Sequence, residues 1–240
     1  MNRNIVVRSI DRADPAVIAR LGAAGTATVH EAIGRRGFVG AHLRPIQQGR
    51  RVAGSAVTVS CHPGDNLMIH AAVEVCQAGD ILVVTNTAPS THGMFGELIA
   101  TSLLARGVST LIIDAGVRDT HELRDLGFAV WSQHVSCQGT VKASPGSVNV
   151  PVVLGGVTVH PGDVVVADDD GVVVVPRRVA DWAAEQSEVR VAKEDAARAR
   201  LGSGELGVDL YGLRATLAEL GVEYVDTPEA LAALDALGDR

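Results

Sequence analysis

The stretch Ile81-Leu82-Val83-Val84-Thr85-Asn86-Thr87-Ala88-Pro89-Ser90-Thr91-His92-Gly93 is an apolar run that opens into a loop of small residues. The same form returns at Ser109-Thr110-Leu111-Ile112-Ile113-Asp114, followed by Ala115-Gly116-Val117-Arg118-Asp119. Apolar runs of about four to eight residues bounded by turn residues read as buried strands. Between them Met94–Arg106 reads as a helix, with Leu98, Leu103 and Leu104 among its apolar positions and Gly107 as its stop. Strand, loop, helix and strand make a βαβ unit, whose sheet is parallel. Consecutive strands are usually neighbours, and ligands bind beyond their carboxyl ends. The loops after Thr85 and Asp114 should therefore open on one edge, bringing Glu97, Arg118 and Asp119 together.

The pattern extends in both directions. Asp14-Pro15 reads as an N-cap with proline at the first helical position, beginning a helix to about Leu21. A second helix is expected over 28–36, a strand over Val52–Ser60, and a helix from Asp65 or Asn66 to Cys76. On the other side, Thr120–Leu126 reads as a helix stopped by Gly127, and Phe128–Trp131 as a third buried strand. After Val135 come short β runs at 148–153, 157–159, 164–167 and 172–175, with Asp168-Asp169-Asp170-Gly171 as a hairpin turn. From Arg177 the chain reads as helical over 178–201, 211–220 and 228–237. We expect one α/β catalytic domain, 1–176, with a central βαβ-type sheet and β-hairpins, and a C-terminal helical arm, 177–240. The arm's helix, with Glu185, Glu188, Arg190, Lys193, Glu194 and Asp195, is too polar for a core and suits a surface or a subunit contact.

Composition narrows the function. A chain of 240 residues buries roughly 70% of its unfolded surface and needs no staples. Aromatics are 3% and the formal net charge is −7, which argues against base stacking and against a phosphate-backbone binder. No nucleic-acid partner is expected. Three cysteines without a CxxC spacing make neither a disulfide framework nor a zinc ribbon. No apolar run approaches the length of a membrane span, and the N-terminus has no signal-peptide core, so the expected location is the cytoplasm, with no membrane partner. No GxGxxG or P-loop pattern occurs, which leaves nucleotide binding unsupported.

Arg118 and Asp119 form the best chemical cluster. An arginine at a strand's carboxyl end clamps a carboxylate, and an aspartate beside it can hold a divalent metal. The plainer alternative is that Asp119 caps the next helix and Arg118 makes a surface ion pair. Glu97 lies in the first turn of a helix preceded by a small-residue loop, where free amides bind anions; it could equally serve the helix dipole. Of the 21 basic residues only Lys142 and Lys193 are lysines. Imine chemistry needs a desolvated lysine, and only Lys142 could serve; it reads more simply as a fixed charge or an exposed end. His92 beside Gly93 is the histidine most worth testing, and Cys137, without an obvious base partner, reads as a buried thiol.

Glu97, twenty intervening residues and Arg118-Asp119 resemble the acidic-x20-Arg-Asp signature of class II pyruvate aldolases of the RraA-like superfamily. The chain is similar to 4-hydroxy-4-methyl-2-oxoglutarate/4-carboxy-4-hydroxy-2-oxoadipate aldolases from about Gly25 to Val225. The similarity takes in Gln138-Gly139-Thr140-Val141-Lys142, Pro145-Gly146, Pro161-Gly162-Asp163, Asp168–Gly171 and Gly204-Glu205-Leu206-Gly207-Val208-Asp209-Leu210-Tyr211. Asp114-Ala115-Gly116 departs mildly from the Asp-Gly-Gly of many relatives.

The resemblance implies a layered RraA-like sandwich and assigns roles. Asp119 would hold a divalent metal, usually Mg²⁺ with Mn²⁺ an alternative. Arg118 would bind the pyruvyl group and stabilise its enolate. Backbone amides at Leu98 and Ile99, beside Gly93, would bind the carboxylate, and Glu97 would position an acid/base water. Glu194 matches an acidic residue reaching in from a neighbouring subunit, and Asn66 and Thr140 are further pocket candidates that read equally well as a helix cap and a turn hydroxyl. It further implies a small 2-oxo acid substrate, oxaloacetate decarboxylation as a second activity, and assembly as a homotrimer or homohexamer. The alternative within the same resemblance is a non-catalytic RraA-like regulator that binds a ribonuclease or another protein.

Overall fold

A computed structural model describes residues 4–229. Residues up to Val191 form one compact unit and those from Ala192 a second, the division falling inside one long helix. The first unit opens with α1 (Pro15–Ala24) and α2 (Thr26–Ala32), then β1 (Arg44–Pro45), β2 (Val52–Cys61) and α3 (Leu67–Val73). The expected βαβ run follows as β3 (Asp80–Asn86), β4 (Gly93–Phe95), α4 (Glu97–Leu104), β5 (Thr110–Val117), α5 (Thr120–Asp125) and β6 (Ala129–Val135). Then come β7 (Ser147–Val148), β8 (Val152–Leu154), β9 (Val157–Val159), β10 (Val164–Asp168), β11 (Gly171–Val175) and the start of α6 (Ala180–Gly202).

The main sheet runs β1-β6-β5-β3-β2-β10-β11, with β4 added to β5 and β7 to β2. Its centre, β6-β5-β3-β2, is parallel, and β1, β10 and β11 close it with antiparallel pairs. Asp168–Gly171 turns the β10–β11 hairpin as read. Alternation within the strands splits the core into two layers. Leu82, Val84, Leu111 and Ile113 join Ile69, Ala72, Leu103 and Leu123 of α3, α4 and α5. Ile81, Val83 and Ile112 face the other way, onto Trp131, Leu154 and Val165. Both faces are covered, which is why these strands read as continuous apolar runs. On β10 and β11 a third cluster takes Leu21 and Val29 of α1 and α2 and Ala180, Ala183 and Ala184 of α6.

The β run expected over 148–153 is split between β7 and β8, in two sheets, and two expectations for the central run are corrected. Met94–Arg106 is not one helix: Gly93–Phe95 is a strand, and α4 begins at Glu97. Gly93 pairs with Gly116 and Phe95 with Val117, and Met94 and Phe95 are buried, so sheet pairing overrides helical periodicity there. For the same reason β5 does not end at Asp114. It continues through Ala115-Gly116-Val117 because β4 and β6 both pair with that extension. Asp114 is therefore a mid-strand residue whose carboxylate faces His42 Nε2 at 3.6 Å.

The second unit holds the end of α6, α7 (Gly207–Leu210) and α8 (Leu213–Glu219). The expected 211–220 helix begins only after Gly212, whose φ of 65° caps α8. The helix expected at 228–237 lies largely outside the described residues.

Candidate functional site

Arg118 and Asp119 follow directly from β5. The Arg118 amide donates to the Phe95 carbonyl at 2.9 Å, extending the β4–β5 pairing by one residue. Asp119 takes a left-handed backbone, φ 54°, a conformation that aspartate tolerates better than most residues. By position it is the N-cap of α5, yet its side chain makes no cap there. Its Oδ2 instead accepts the Glu97 amide at 3.2 Å, at the head of α4, and lies 3.5 Å from Arg118 Nε. The aspartate thus serves the helix that leaves β4.

Two glycines allow this closeness. A Cβ on Gly96 would run into Asp119 Oδ2 and would stand 3.1 Å from Arg118 Cγ. A Cβ on Gly93 would run into the Ser136 carbonyl and stand 3.1 Å from Arg118 Cβ.

These groups line a pocket of about 120 Å³ with Asn66 and His70 of the α3 segment, Leu98 and Ile99 of α4, and Lys142. The amides of Leu98 and Ile99 belong to the first helical turn, whose donors have no intrahelical acceptor, and no side chain caps them. Asn66 is 6% exposed; its Nδ2 donates to the Met94 carbonyl at 3.1 Å, and its Oδ1 has no protein partner. Lys142 is held by its neighbours. Val141 bonds to Gly64 and Asn66, and the Ala143 and Ser144 amides donate to buried Asp65 Oδ2 at 2.7 and 2.6 Å. Burial of part of the His70 ring, and then the Lys142 charge, lower the His70 pKa, although the residue as a whole is exposed.

Of the residues singled out in the sequence, Asn66, Gly93, Leu98, Ile99, Arg118 and Asp119 share this pocket. Glu97 and Thr140 are not among its lining. The Glu97 Oε1 lies 3.4 Å from the Thr101 hydroxyl one turn along α4. Glu194 belongs to the second unit. His92 sits beside Ser90, with its Nδ1 3.3 Å from the Ser90 hydroxyl, and closes against Gly64. Cys61 and Cys76 are buried thiols whose pKa values desolvation pushes up to about 12, whereas Cys137, expected to be buried, is exposed. Sequence reasoning missed His70, whose signal is its spacing: four residues after Asn66 puts it on the same face of α3.

Comparison with known proteins bears on the family and the fold. Residues 26–174 match the family described as Aldolase/RraA. A provisionally named 4-hydroxy-4-methyl-2-oxoglutarate aldolase of Halalkalibacterium halodurans is 25% identical over 169 residues, 70% of this chain and 80% of that protein. The crystal structure of Streptomyces coelicolor RraAS2, described as an unusual member of the RNase ES inhibitor RraA protein family, superposes with a TM-score of 0.71 at 29% identity, covering 79% of this chain and 99% of that one. The RNA-processing inhibitor RraA from Thermus thermophilis gives 0.52 at 28% identity, covering 57% and 82%. Among the described residues no helix is long and apolar enough to cross a membrane.

Proposed function

The chain belongs to the Aldolase/RraA family, and on that premise we propose that it is a divalent-metal-dependent pyruvate aldolase. Its substrate in this reading is 4-hydroxy-4-methyl-2-oxoglutarate or 4-carboxy-4-hydroxy-2-oxoadipate, cleaved to pyruvate plus pyruvate or oxaloacetate. The observation that carries it is the placing of the Arg118 guanidinium and the Asp119 carboxylate in one pocket with the uncapped amides of Leu98 and Ile99.

The donor set suits a largely hydrated ion. Among the described residues no three His, Cys, Asp or Glu side chains converge. Asp119 keeps one carboxylate oxygen outside its bond to Glu97, and a single carboxylate completed by water and substrate oxygens is how Mg²⁺ is commonly held. Bound there, Mg²⁺ or Mn²⁺ supplies positive charge to the substrate's C1 carboxylate and C2 keto oxygens.

This chain's own residues do the rest. The Leu98 and Ile99 amides bind the C1 carboxylate. Arg118 faces the C2 oxygen. A water held by Glu97, its side chain swung from Thr101 toward the pocket, takes the C4 hydroxyl proton; the C3–C4 bond breaks, its electron pair passes into the enolate at C2 oxygen, and C4 becomes the carbonyl of the leaving 2-oxo acid. Arg118 stabilises that developing charge. Water then returns a proton to C3, giving pyruvate. Asn66 lines the same pocket and keeps one acceptor, Oδ1, without a protein partner. In oxaloacetate the group leaving C3 is carbon dioxide and the enolate is the same, so decarboxylation accompanies the aldolase activity. Glu194 acts in the site of a neighbouring copy, within a homotrimer or homohexamer.

A second reading rests on the RraA structures named as RNase or RNA-processing inhibitors: a regulator that binds a ribonuclease without catalysis. Pyruvate release from both substrates, with Mg²⁺ and with EDTA, decides between them. We expect metal-dependent release; no turnover of either substrate with metal present favours the regulator.

A further inference from the structure

We infer that a second pocket, at the sheet edge formed by β1 and β6, binds a small oxyanion, a carboxylate or a phosphate. This pocket, about 230 Å³, shares no lining residue with the one that holds Arg118. Arg44 enters it from β1 and Arg124 from α5, with Thr120, Ser132, Gln133 and His134 around them. The elements fix these neighbours. Arg44 stands directly opposite Ser132 in the antiparallel β1–β6 pair. Thr120 and Arg124 are four apart on α5 and so share one face.

The lining is what points to an anion: two arginines among polar side chains, with no carboxylate. Acidic residues outnumber basic ones, 28 to 21, and most described arginines have found a carboxylate: Arg12 with Asp80, Arg20 with Glu188, Arg35 with Glu31, Arg177 with Asp11. Arg44 and Arg124, like Arg8, Arg36, Arg50, Arg106 and Arg178, have no ion-pair partner among the described residues, and their pocket joins them to Thr120, Ser132, Gln133 and His134 with no acidic side chain in the lining. Asp125, next to Arg124 in sequence, faces His121 at 3.5 Å. Two arginines lining one concavity offer an anion charge-assisted donors from two elements. A planar fork of donors matches a carboxylate or phosphate edge, and each such charge-assisted bond is about twice as strong as a neutral one. The Thr120 hydroxyl and the Gln133 amide add uncharged donors, so an oxyanion with three or more oxygens can be met from both walls. Both arginines are exposed, so their replacement leaves the core untouched.

Titration calorimetry of the full chain with inorganic phosphate, and separately with acetate, tests the assignment. We expect saturable binding, weakened about tenfold or more by Arg44→Gln or Arg124→Gln, as loss of one charged hydrogen bond implies, and abolished at this pocket in the double variant. The stronger of the two anions identifies the class. Arg118→Gln should keep this binding event, which separates it from the proposed catalytic pocket. Absence of saturable binding in the wild type, survival of all binding in the double variant, or loss of the event in Arg118→Gln overturns the inference. So does a change in oligomeric mass in the double variant with no anion bound by the wild type, since a second copy's carboxylate would then be the occupant.

Discussion

Asp119 Oδ2 accepts the backbone amide of Glu97 at 3.2 Å, tying the turn after β5 to the first residue of α4. That bond depends on Gly96. Its backbone is extended, φ −162°, so any residue can adopt the conformation, and only the space is lacking. Gly96→Ala should therefore fold but push the Asp119 carboxylate off the Glu97 amide. We expect activity to fall by at least about tenfold, the scale of a disturbed positioning contact, with a melting temperature within a few degrees of wild type. Steady-state kinetics with a parallel melt checks this; unchanged kcat/KM would show that the Asp119–Glu97 bond does not matter.

Arg118→Ala removes the cation proposed to face the enolate oxygen. Loss of one oxyanion donor costs about 10²- to 10³-fold in kcat. The side chain is 44% exposed and its pairing with Asp119 is a surface ion pair at 3.5 Å, so stability should hardly move. We expect a kcat loss of at least about 10²-fold in pyruvate release from either substrate. Full activity would remove Arg118 from the reaction.

Much of this was legible in the residues. The strands β2, β3, β5, β10 and β11 are long or strongly β-branched, and their buried state shows in their uninterrupted apolar character. The short strand β4 was not legible. Three residues give no period, and Met94 and Phe95 fit a helix face as well as a ladder; what decides is pairing with Gly116 and Val117, remote in sequence. Asp114-Ala115-Gly116 read as a loop for the same reason. The pocket followed from the rule that ligands bind at the carboxyl ends of parallel strands. The turning of Glu97 toward Thr101 depends on a rotamer that no spacing encodes. His70 was missed because its one signal, the four-residue spacing from Asn66, is shared by ordinary core positions of the same helix.

His70 offers a test of the pocket's electrostatics. Its pKa is lowered first by burial and second by the positive charge of Lys142. A histidine with a lowered folded value binds fewer protons when folded, so stability is full above the unfolded value, about 6.5, and declines as pH falls below it. Lys142→Met removes one of the two causes. The His70 ring titration, followed by its proton NMR signals, should move upward in that variant while staying below the ordinary value, because burial remains. An unmoved titration would mean that Lys142 does not reach the ring.

Asp65 sets where Lys142 stands. Burial alone would raise its pKa, but the amides of Leu67, Ala143 and Ser144 donate to the carboxylate and the net effect lowers it. The residue is 2% exposed, covered by the 141–144 strap near the molecular surface, so these bonds are shielded from water. Its stabilising contribution is present above the unfolded value, about 3.9, and is lost as pH falls through the lower folded value. Asp65→Asn keeps the shape but replaces one acceptor oxygen with an NH₂ group facing backbone donors. We expect a loss of about 2–4 kcal/mol in denaturant unfolding, the range for bonds to a charged acceptor together with an unsatisfied buried group. Because the strap carries Lys142 into the pocket, the same variant should also raise KM more than it lowers kcat. Wild-type stability in Asp65→Asn would show that the strap is held by the Gly64–Val141 and Asn66–Val141 backbone pairs alone.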